Sequence, residues 1–138
     1  MRQSLHHLSV STRDQGLVEI TAPIRRWLAT QQATTGLLTI WCRHTSASLL
    51  VQENAAPDVR ADLLAFFNRI VPADGIYRHQ DEGPDDMPAH IKSALTQTQL
   101  SRPIEKGEPV LGTWQGIYLF EHRAAPHQRD VVLHLLFE

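Results

Sequence analysis

Apolar and polar residues alternate along several stretches of the chain, which is the pattern of β-strands that bury one face. In "GLLTIWCRHT" the alternation places Leu38, Ile40 and His44 on one face of such a strand. "LVEI" and "SASLLVQ" read as shorter strands. The pattern predicts four longer strands, at 4–12, 36–45, 112–123 and 129–137.

Apolar residues spaced three and four positions apart predict helices between these strands, near 22–32, 57–70 and 87–97. Thr21 is the predicted N-cap of the first helix and Asp86 that of the third. Strands at both ends of the chain with helices between them predict an α+β fold. We expect a mainly antiparallel sheet packed with helices, in a single domain spanning residues 1–138.

Composition excludes several classes of protein. The 138 residues carry a net charge of −2, so no broad basic field attracts nucleic acid or an anionic membrane. Cys42 is the single cysteine, which rules out intrachain disulfides and cysteine-rich zinc modules. No apolar run reaches the roughly 18 residues of a membrane span. We therefore expect a soluble, cytoplasmic protein with neither nucleic acid nor membrane as a partner.

The acidic stretch "DEGPDDMPAHIK" is the first candidate for chemistry, because His79 precedes it and His90 lies within it. Two imidazoles and a carboxylate are a common open metal site. However, the spacing of the two histidines is neither that of a zinc finger nor that of HExxH. Asp85 and Asp86 have an alternative role, since acidic residues stabilise the positive end of the following helix.

A second candidate follows the predicted strand that ends at His44. The next residues include Thr45, Ser46 and Ser48, whose hydroxyls can bind an oxyanion or a phosphate. Ordinary turn chemistry of serine and threonine explains the same residues without a ligand.

Polar residues also lie at two other predicted element ends. Glu53 and Asn54 precede the second helix, where they either bind a ligand or simply cap the helix. Gln115, Glu121 and Arg123 share one face of a C-terminal strand. Glu121 and Arg123 can form a plain ion pair, or a general base beside an anion clamp.

Three long segments, "HTSASLLVQENAAPDVRADL", "YRHQDEGPDDMPAHIKSAL" and "GTWQGIYLFEHR", together resemble the YjbQ family, whose members are described as secondary thiamine-phosphate synthases. The resemblance runs essentially end to end. It departs at "TQTQLSRPI", where relatives usually carry a glycine and a serine, and at Ala56, where close relatives often have aspartate. The family resemblance implies a cleft between subunits, and the absence of this glycine would change the shape of one of its edges.

The resemblance implies a compact α+β trimer whose shared polar residues gather near a cleft between subunits. On this basis the expected metal ligands are His44, His79 and His90. The expected catalytic residues are His44, Glu121 and Arg123. The expected substrate-binding residues are Thr45, Ser46, Ser48, Glu53, Asn54 and Gln115.

The resemblance also implies a reaction that joins a hydroxymethylpyrimidine diphosphate to a thiazole phosphate and releases pyrophosphate. The cofactor would be a divalent ion, zinc-like at a histidine site or magnesium on a diphosphate. Near the proposed site the basic residues beyond the histidines are few, namely Arg43, Arg123 and Arg129. Two alternatives therefore stay open: a metal-dependent hydrolase or lyase of a small phosphorylated metabolite, with Glu121 as general base, and a non-catalytic metabolite-binding protein.

The C-terminal strands bear on assembly. "IYLF" and "VVLHLLF" carry apolar residues on both faces, which is typical of strands covered on both sides. Together with the resemblance, this favours a homotrimer with the site at a subunit interface.

Overall fold

The computed structural model describes all residues 1–138. Eight strands and three helices follow one another along the chain. They are β1 (Arg2–Thr12), β2 (Gly16–Glu19), α1 (Thr21–Ala29), β3 (Thr35–Cys42), β4 (Ala47–Glu53), α2 (Pro57–Ile70), α3 (Asp86–Leu95), β5 (Gln99–Glu105), β6 (Glu108–Pro109), β7 (Gln115–Glu121) and β8 (His127–Phe137). None of the helices is long and apolar enough to cross a membrane.

The strands form two antiparallel sheets, which confirms the predicted α+β class. The larger sheet has the order β1-β8-β3-β5-β6 and the smaller one the order β2-β7-β4. Alternate residues of β8, including Leu133 and Leu135, are fully buried in a core that also takes Leu49, Ile117 and Leu119 from the smaller sheet. Each such side chain contributes about 1.5–3 kcal/mol on burial.

Strand β7 is buried on both faces and therefore lies at the centre of the molecule. Ile117 and Leu119 belong to the core cluster, whereas Tyr118 and Phe120 point away from it and are also buried. On that second side Phe67 of α2 packs edge-on against Phe120, with ring centroids 5.4 Å apart. The double burial predicted for "IYLF" is thus provided within one chain by α2.

One predicted strand needs correction, and strand β5 was missed. The strand predicted at 112–123 covers only Gln115–Glu121 and belongs to the second sheet. Strand β5 was not predicted, since Pro103 interrupts its pattern. The strand tolerates this proline because the Pro103 carbonyl accepts a hydrogen bond from Val110 N on the outer edge of β5, 2.9 Å away. The backbone nitrogen of Pro103 faces the same edge, so no bond to β3 is lost.

The predicted helix caps are each displaced by one residue. Thr21 is the first residue of α1, and its hydroxyl accepts a hydrogen bond from Ile117 N at 2.9 Å, which joins α1 to β7. Asp86 is likewise the first residue of α3, after Asp85 at the N-cap. Neither aspartate caps the helix with its side chain, because both carboxylates have partners elsewhere.

Candidate functional site

The site lies at one end of the smaller sheet, where three connections meet. The β3–β4 turn supplies Thr45, the loop after α2 supplies His79, and the first turns of α3 supply Asp86 and His90. Gly83 adopts a φ of +103° in this loop, a conformation that favours glycine. Asp86 and His90 are four residues apart on α3, so their side chains lie on one helix face.

A buried carboxylate forms the centre of the site. His79 Nε2 lies 2.6 Å and His90 Nε2 3.1 Å from the same Asp86 oxygen, Oδ2. The three ligand atoms, one from each residue, lie within 4.8 Å of one another. We call these three residues the Asp86 cluster. It is the group in the chain whose donors can converge on one metal ion.

The hydrogen bonds of His90 decide which of its nitrogens is protonated. Its Nδ1 lies 2.8 Å from the Thr45 carbonyl oxygen, which can only accept, so Nδ1 carries a hydrogen. In the neutral ring Nε2 is then an unprotonated acceptor that faces a carboxylate oxygen. Two acceptors repel each other at this distance. A cation placed between these two atoms would remove the repulsion.

Arg123 fixes the carboxylates of the site. It donates from Nη1 to Asp86 Oδ1 at 2.7 Å, from Nε to Asp85 Oδ2 at 3.1 Å and from Nη2 to the Glu82 carbonyl at 2.9 Å. Burial alone would raise the pKa of Asp86, but the hydrogen bond from His79 and the charges of His90 and Arg123 outweigh it and lower the pKa. Asp86 is therefore an anion with a fixed orientation.

His44 does not join His79 and His90, which corrects the predicted three-histidine site. Its Nε2 accepts a hydrogen bond from the Asp130 backbone N–H at 2.8 Å, so the lone pair that would bind a metal is used. Burial, together with the charge of Arg129, lowers the pKa of His44 and keeps it neutral at pH 7. The residue that joins His79 and His90 as a candidate third ligand is Asp86.

Glu121 is not a solvent-accessible base, and it does not pair with Arg123. It is fully buried, and Arg129 binds both of its oxygens, with Nε 2.8 Å from Oε1. The Thr12 hydroxyl and Arg123 N also donate to it. Burial would raise the pKa of Glu121, but these hydrogen bonds lower it. Glu121 is closed to solvent in this structure, and its catalytic role stays a prediction.

The hydroxyls after His44 have different environments. Thr45 is exposed and remains a candidate for substrate contact, whereas Ser46 is half-buried and its carbonyl accepts from Arg129 Nη2 at 3.2 Å. Ser48 is buried, with His122 Nε2 2.8 Å and the Thr96 hydroxyl 2.6 Å from its Oγ. Ser48 is closed to solvent in this structure, and its substrate-binding role stays a prediction.

Glu53, Asn54 and Gln115 lie at the opposite end of the smaller sheet. Glu53 pairs with Gln115 in the β4–β7 ladder, six residues away from the pair of Ala47 and Glu121. At about 3.3 Å per residue this separates the two ends by roughly 20 Å. Glu53 Oε2 accepts from Ala56 N at 2.7 Å, and Gln115 Oε1 accepts from Gly112 N at 2.8 Å. Within one chain these three residues bind loop backbone and do not join the Asp86 cluster.

Sequence reasoning missed two buried polar residues under the site, His122 and Lys92. Burial lowers the pKa of His122 to about 3, with a further contribution from the charge of Lys92. Lys92 Nζ donates to Asn68 Oδ1 at 2.6 Å, which ties α3 to α2. No local pattern pointed to either residue. Asp86 as a ligand was within reach of the sequence, since it lies four residues before His90.

Two cavities border the Asp86 cluster, one on each side. The larger, of about 580 Å³, lies between the end of β3 and α3 and includes His44, Thr45 and His90 in its lining. The smaller, of about 330 Å³, lies in the loop after α2 and includes His79. Both imidazoles of the cluster are therefore accessible from a cavity.

A family model described as "UPF0047 protein YjbQ-like" matches residues 6–138. A Synechocystis protein, UPF0047 protein sll1880, is 50% identical over 135 residues, covering 97% of this chain and 92% of that protein. Escherichia coli O157:H7 YjbQ is 44% identical over 126 residues, covering 91% of each.

Solved structures show the same fold. A YjbQ/UPF0047 family protein from Clostridium acetobutylicum superimposes with a TM-score of 0.87 at 32% identity, covering 95% of this chain and 99% of that one. Protein TT1486 from Thermus thermophilus gives a TM-score of 0.85 at 36% identity with the same coverage. Both relationships extend over nearly the whole chain.

Proposed function

The chain belongs to the UPF0047 YjbQ-like family, and from that premise we propose that it is a divalent-metal-dependent enzyme acting on a small phosphorylated metabolite. One observation carries the proposal: two imidazole nitrogens, His79 Nε2 and His90 Nε2, converge on one buried oxygen of Asp86. The three ligand atoms lie within 4.8 Å of one another, so they can close on one cation, and the cavities on both sides would give a substrate access to it.

The residues fit a metal ion of the zinc type. Two imidazoles and one carboxylate are a frequent catalytic ligand set, which leaves a further position for substrate. The supporting contacts fit as well, since His90 Nδ1 donates to a carbonyl and Asp86 accepts from Arg123. Such an ion supplies a Lewis acid that polarises a phosphoryl oxygen.

The chain's own residues would orient the substrate. The exposed Thr45 hydroxyl lies in the larger cavity beside His90, where it can donate a hydrogen bond to a phosphate. The neutral His44 ring lines the same cavity, but both of its nitrogens face partners within the chain, Asp130 N and Arg129 Nη1. Arg123 acts on the substrate only indirectly, because its three donor nitrogens are directed at Asp85, Asp86 and Glu82. We assign Arg123 a positioning role.

The thiamine-phosphate synthase reaction is the finer proposal, and it comes from the family resemblance. It needs free cations for two phosphorylated substrates. Arg43 pairs with Asp130 and Arg129 pairs with Glu121, so the arginines near the cavity are already neutralised. This charge balance favours a hydrolase or lyase with one phosphorylated substrate over the synthase.

Zinc titration by calorimetry tests the proposal. The wild type should bind Zn²⁺, and His79→Ala and His90→Ala should lose it while His134→Ala, on β8, retains it. Turnover of phosphate esters, and of the pyrimidine diphosphate with the thiazole phosphate, should then depend on the metal and disappear on chelation. Stoichiometric zinc without turnover would favour the metabolite-binding alternative, and no zinc binding would refute the metal centre.

We also propose that the protein is a homotrimer. Leu5 and Leu37 are 62% and 43% exposed on the outer face of the larger sheet. Leu136 of β8 pairs with Leu37 and lies between β1 and β3 on that face. An apolar patch of this kind is typical of a subunit interface. Light scattering at micromolar concentration should give three times the 15.6 kDa chain mass, and a monomer mass would refute the trimer.

A further inference from the structure

The larger cavity suits an organic group attached to the phosphate. Its volume of about 580 Å³ is in the range of small-molecule sites, roughly 300–1,000 Å³. It shares His90 with the Asp86 cluster and extends from there along α3 to Ser93 and Ala94. A ligand whose phosphate lies at the metal centre can therefore place the rest of its atoms in this cavity.

An aromatic side chain lines the cavity without an aromatic partner. Trp41, near the end of β3 on the same sheet face as Leu37, is 48% exposed within one chain. Stacked or edge-on aromatic pairs occur elsewhere in the chain, but none of them includes Trp41. A half-exposed indole in a cavity that Ala94 also lines offers an apolar contact surface for a flat ring.

The charges of the cavity lining are few and already balanced. Arg43 is the only arginine or lysine in the lining, and Asp130 Oδ2 holds its Nη1 at 2.8 Å. No carboxylate lines the cavity. A second charged group on the ligand, of either sign, would lose its hydration there without gaining a free counter-charge.

We propose that the substrate has a single anionic group, which binds at the Asp86 cluster, and an uncharged flat ring that stacks on Trp41. This inference rests on the proposed metal centre and adds the substrate class. Trp41 is then a specificity-determining residue, which selects the organic part of the substrate and takes no part in the chemistry at the phosphate.

Calorimetry on the zinc-loaded protein tests this, with phenyl phosphate and inorganic phosphate as probes. Stacking and apolar burial of one ring should make phenyl phosphate bind roughly tenfold more tightly. Trp41→Ala should remove that advantage and leave the affinity for inorganic phosphate unchanged. Trp41→Phe should keep most of the advantage. A second phosphate on the far side of the ring, as in 1,4-phenylene bisphosphate, should give no gain.

Trp114→Ala is the matched control, because Trp114 is also exposed but lies at the other end of the smaller sheet, where its carbonyl accepts from Asn54 N. It should behave as wild type. Zinc binding with equal affinity for the two probes, or a phenyl preference that survives Trp41→Ala, would overturn this inference alone. Absence of zinc binding would overturn the proposed function together with it.

Discussion

Two carboxylates are buried near the same end of the molecule, and their surroundings differ. Glu121 and its partner Arg129 have side-chain exposures of 0% and 4%. Asp86 is 2% exposed, but its partners His79 and His90 are 39% and 32% exposed. The first carboxylate is closed off by the fold, whereas the second opens to solvent through its imidazoles.

The difference shows that burial of a carboxylate does not by itself identify a site. Both groups are anions that bind an arginine, and both have lowered pKa values, Glu121 mainly through the hydrogen bonds from Arg129 and Asp86 mainly through the hydrogen bond from His79 and the charges of His90 and Arg123. Only at Asp86 are the remaining partners groups that can exchange a proton for a metal and can be reached from a cavity. The accessibility of the partners distinguishes a candidate centre from a structural ion pair.

The largest effect is expected from breaking the closed pair. Arg129→Ala leaves the Glu121 charge buried without its bidentate partner, and should lower the free energy of unfolding by about 3–5 kcal/mol. Denaturant unfolding measures this. The double variant Glu121→Leu, Arg129→Met should recover much of the loss, because it removes both charges. A loss below about 1 kcal/mol for Arg129→Ala would contradict the closed pair.

Buried His122, in the same part of the molecule as the Glu121–Arg129 pair, should make the stability of the protein depend on pH. His122 has its pKa lowered from 6.5 to about 3, so below pH 6.5 the unfolded state binds a proton that the folded state does not. Stability should therefore fall as the pH falls, by about 1.4 kcal/mol per unit, or roughly 2–3 kcal/mol between pH 6.5 and 4.5. Denaturation of His122→Phe over the same range should show a weaker slope. An unchanged slope would assign the effect to other groups.

At the open centre, Asp86→Asn should affect zinc more than stability. The change keeps the shape of the side chain but removes the charge that binds Arg123 and that would bind the proposed metal ion, so zinc affinity should fall by at least roughly tenfold to a hundredfold. The free energy of unfolding of Asp86→Asn should be about 1–3 kcal/mol lower than that of the wild type. The pKa of Asp86 in the folded state is lower than its ordinary value of 3.8, so the ionised carboxylate stabilises the fold at pH values above 3.8. That stabilisation is lost as the pH falls through the folded-state pKa. Acid denaturation of the variant should lack this component.

The smallest effect is expected at the opposite end of the sheet. Glu53→Gln weakens the bonds from Ala55 N and Ala56 N, and should cost about 0.5–1 kcal/mol. Zinc binding by an isolated chain should be unchanged, since roughly 20 Å separates the two ends. Calorimetry on the variant checks this. A loss of zinc affinity would show that Glu53 reaches the centre from a neighbouring subunit.

Local patterns in the sequence determined most of the secondary-structure elements and, within the candidate site, the two histidines of the Asp86 cluster. Alternation identified β1, β3, β4 and β8, because the period of two depends only on neighbouring residues. The acidic stretch identified His79 and His90, which do approach each other, with ring centroids 5.6 Å apart. Their short separation along the chain made the encounter predictable.

The tertiary structure decided which partners the charged and polar side chains of the candidate site bind. The face shared by Glu121 and Arg123 indicated a pair, yet β7 ends at Glu121, so Arg123 turns to Asp85 and Asp86 while Glu121 binds Arg129. In the same way the approach of β8 gives His44 a backbone partner, Asp130 N, in place of His79 and His90. Strand and helix periods are encoded by neighbours in sequence. The pairing of charged side chains is fixed only when strands distant in sequence come into register, because the electrostatic interaction depends on distance in space.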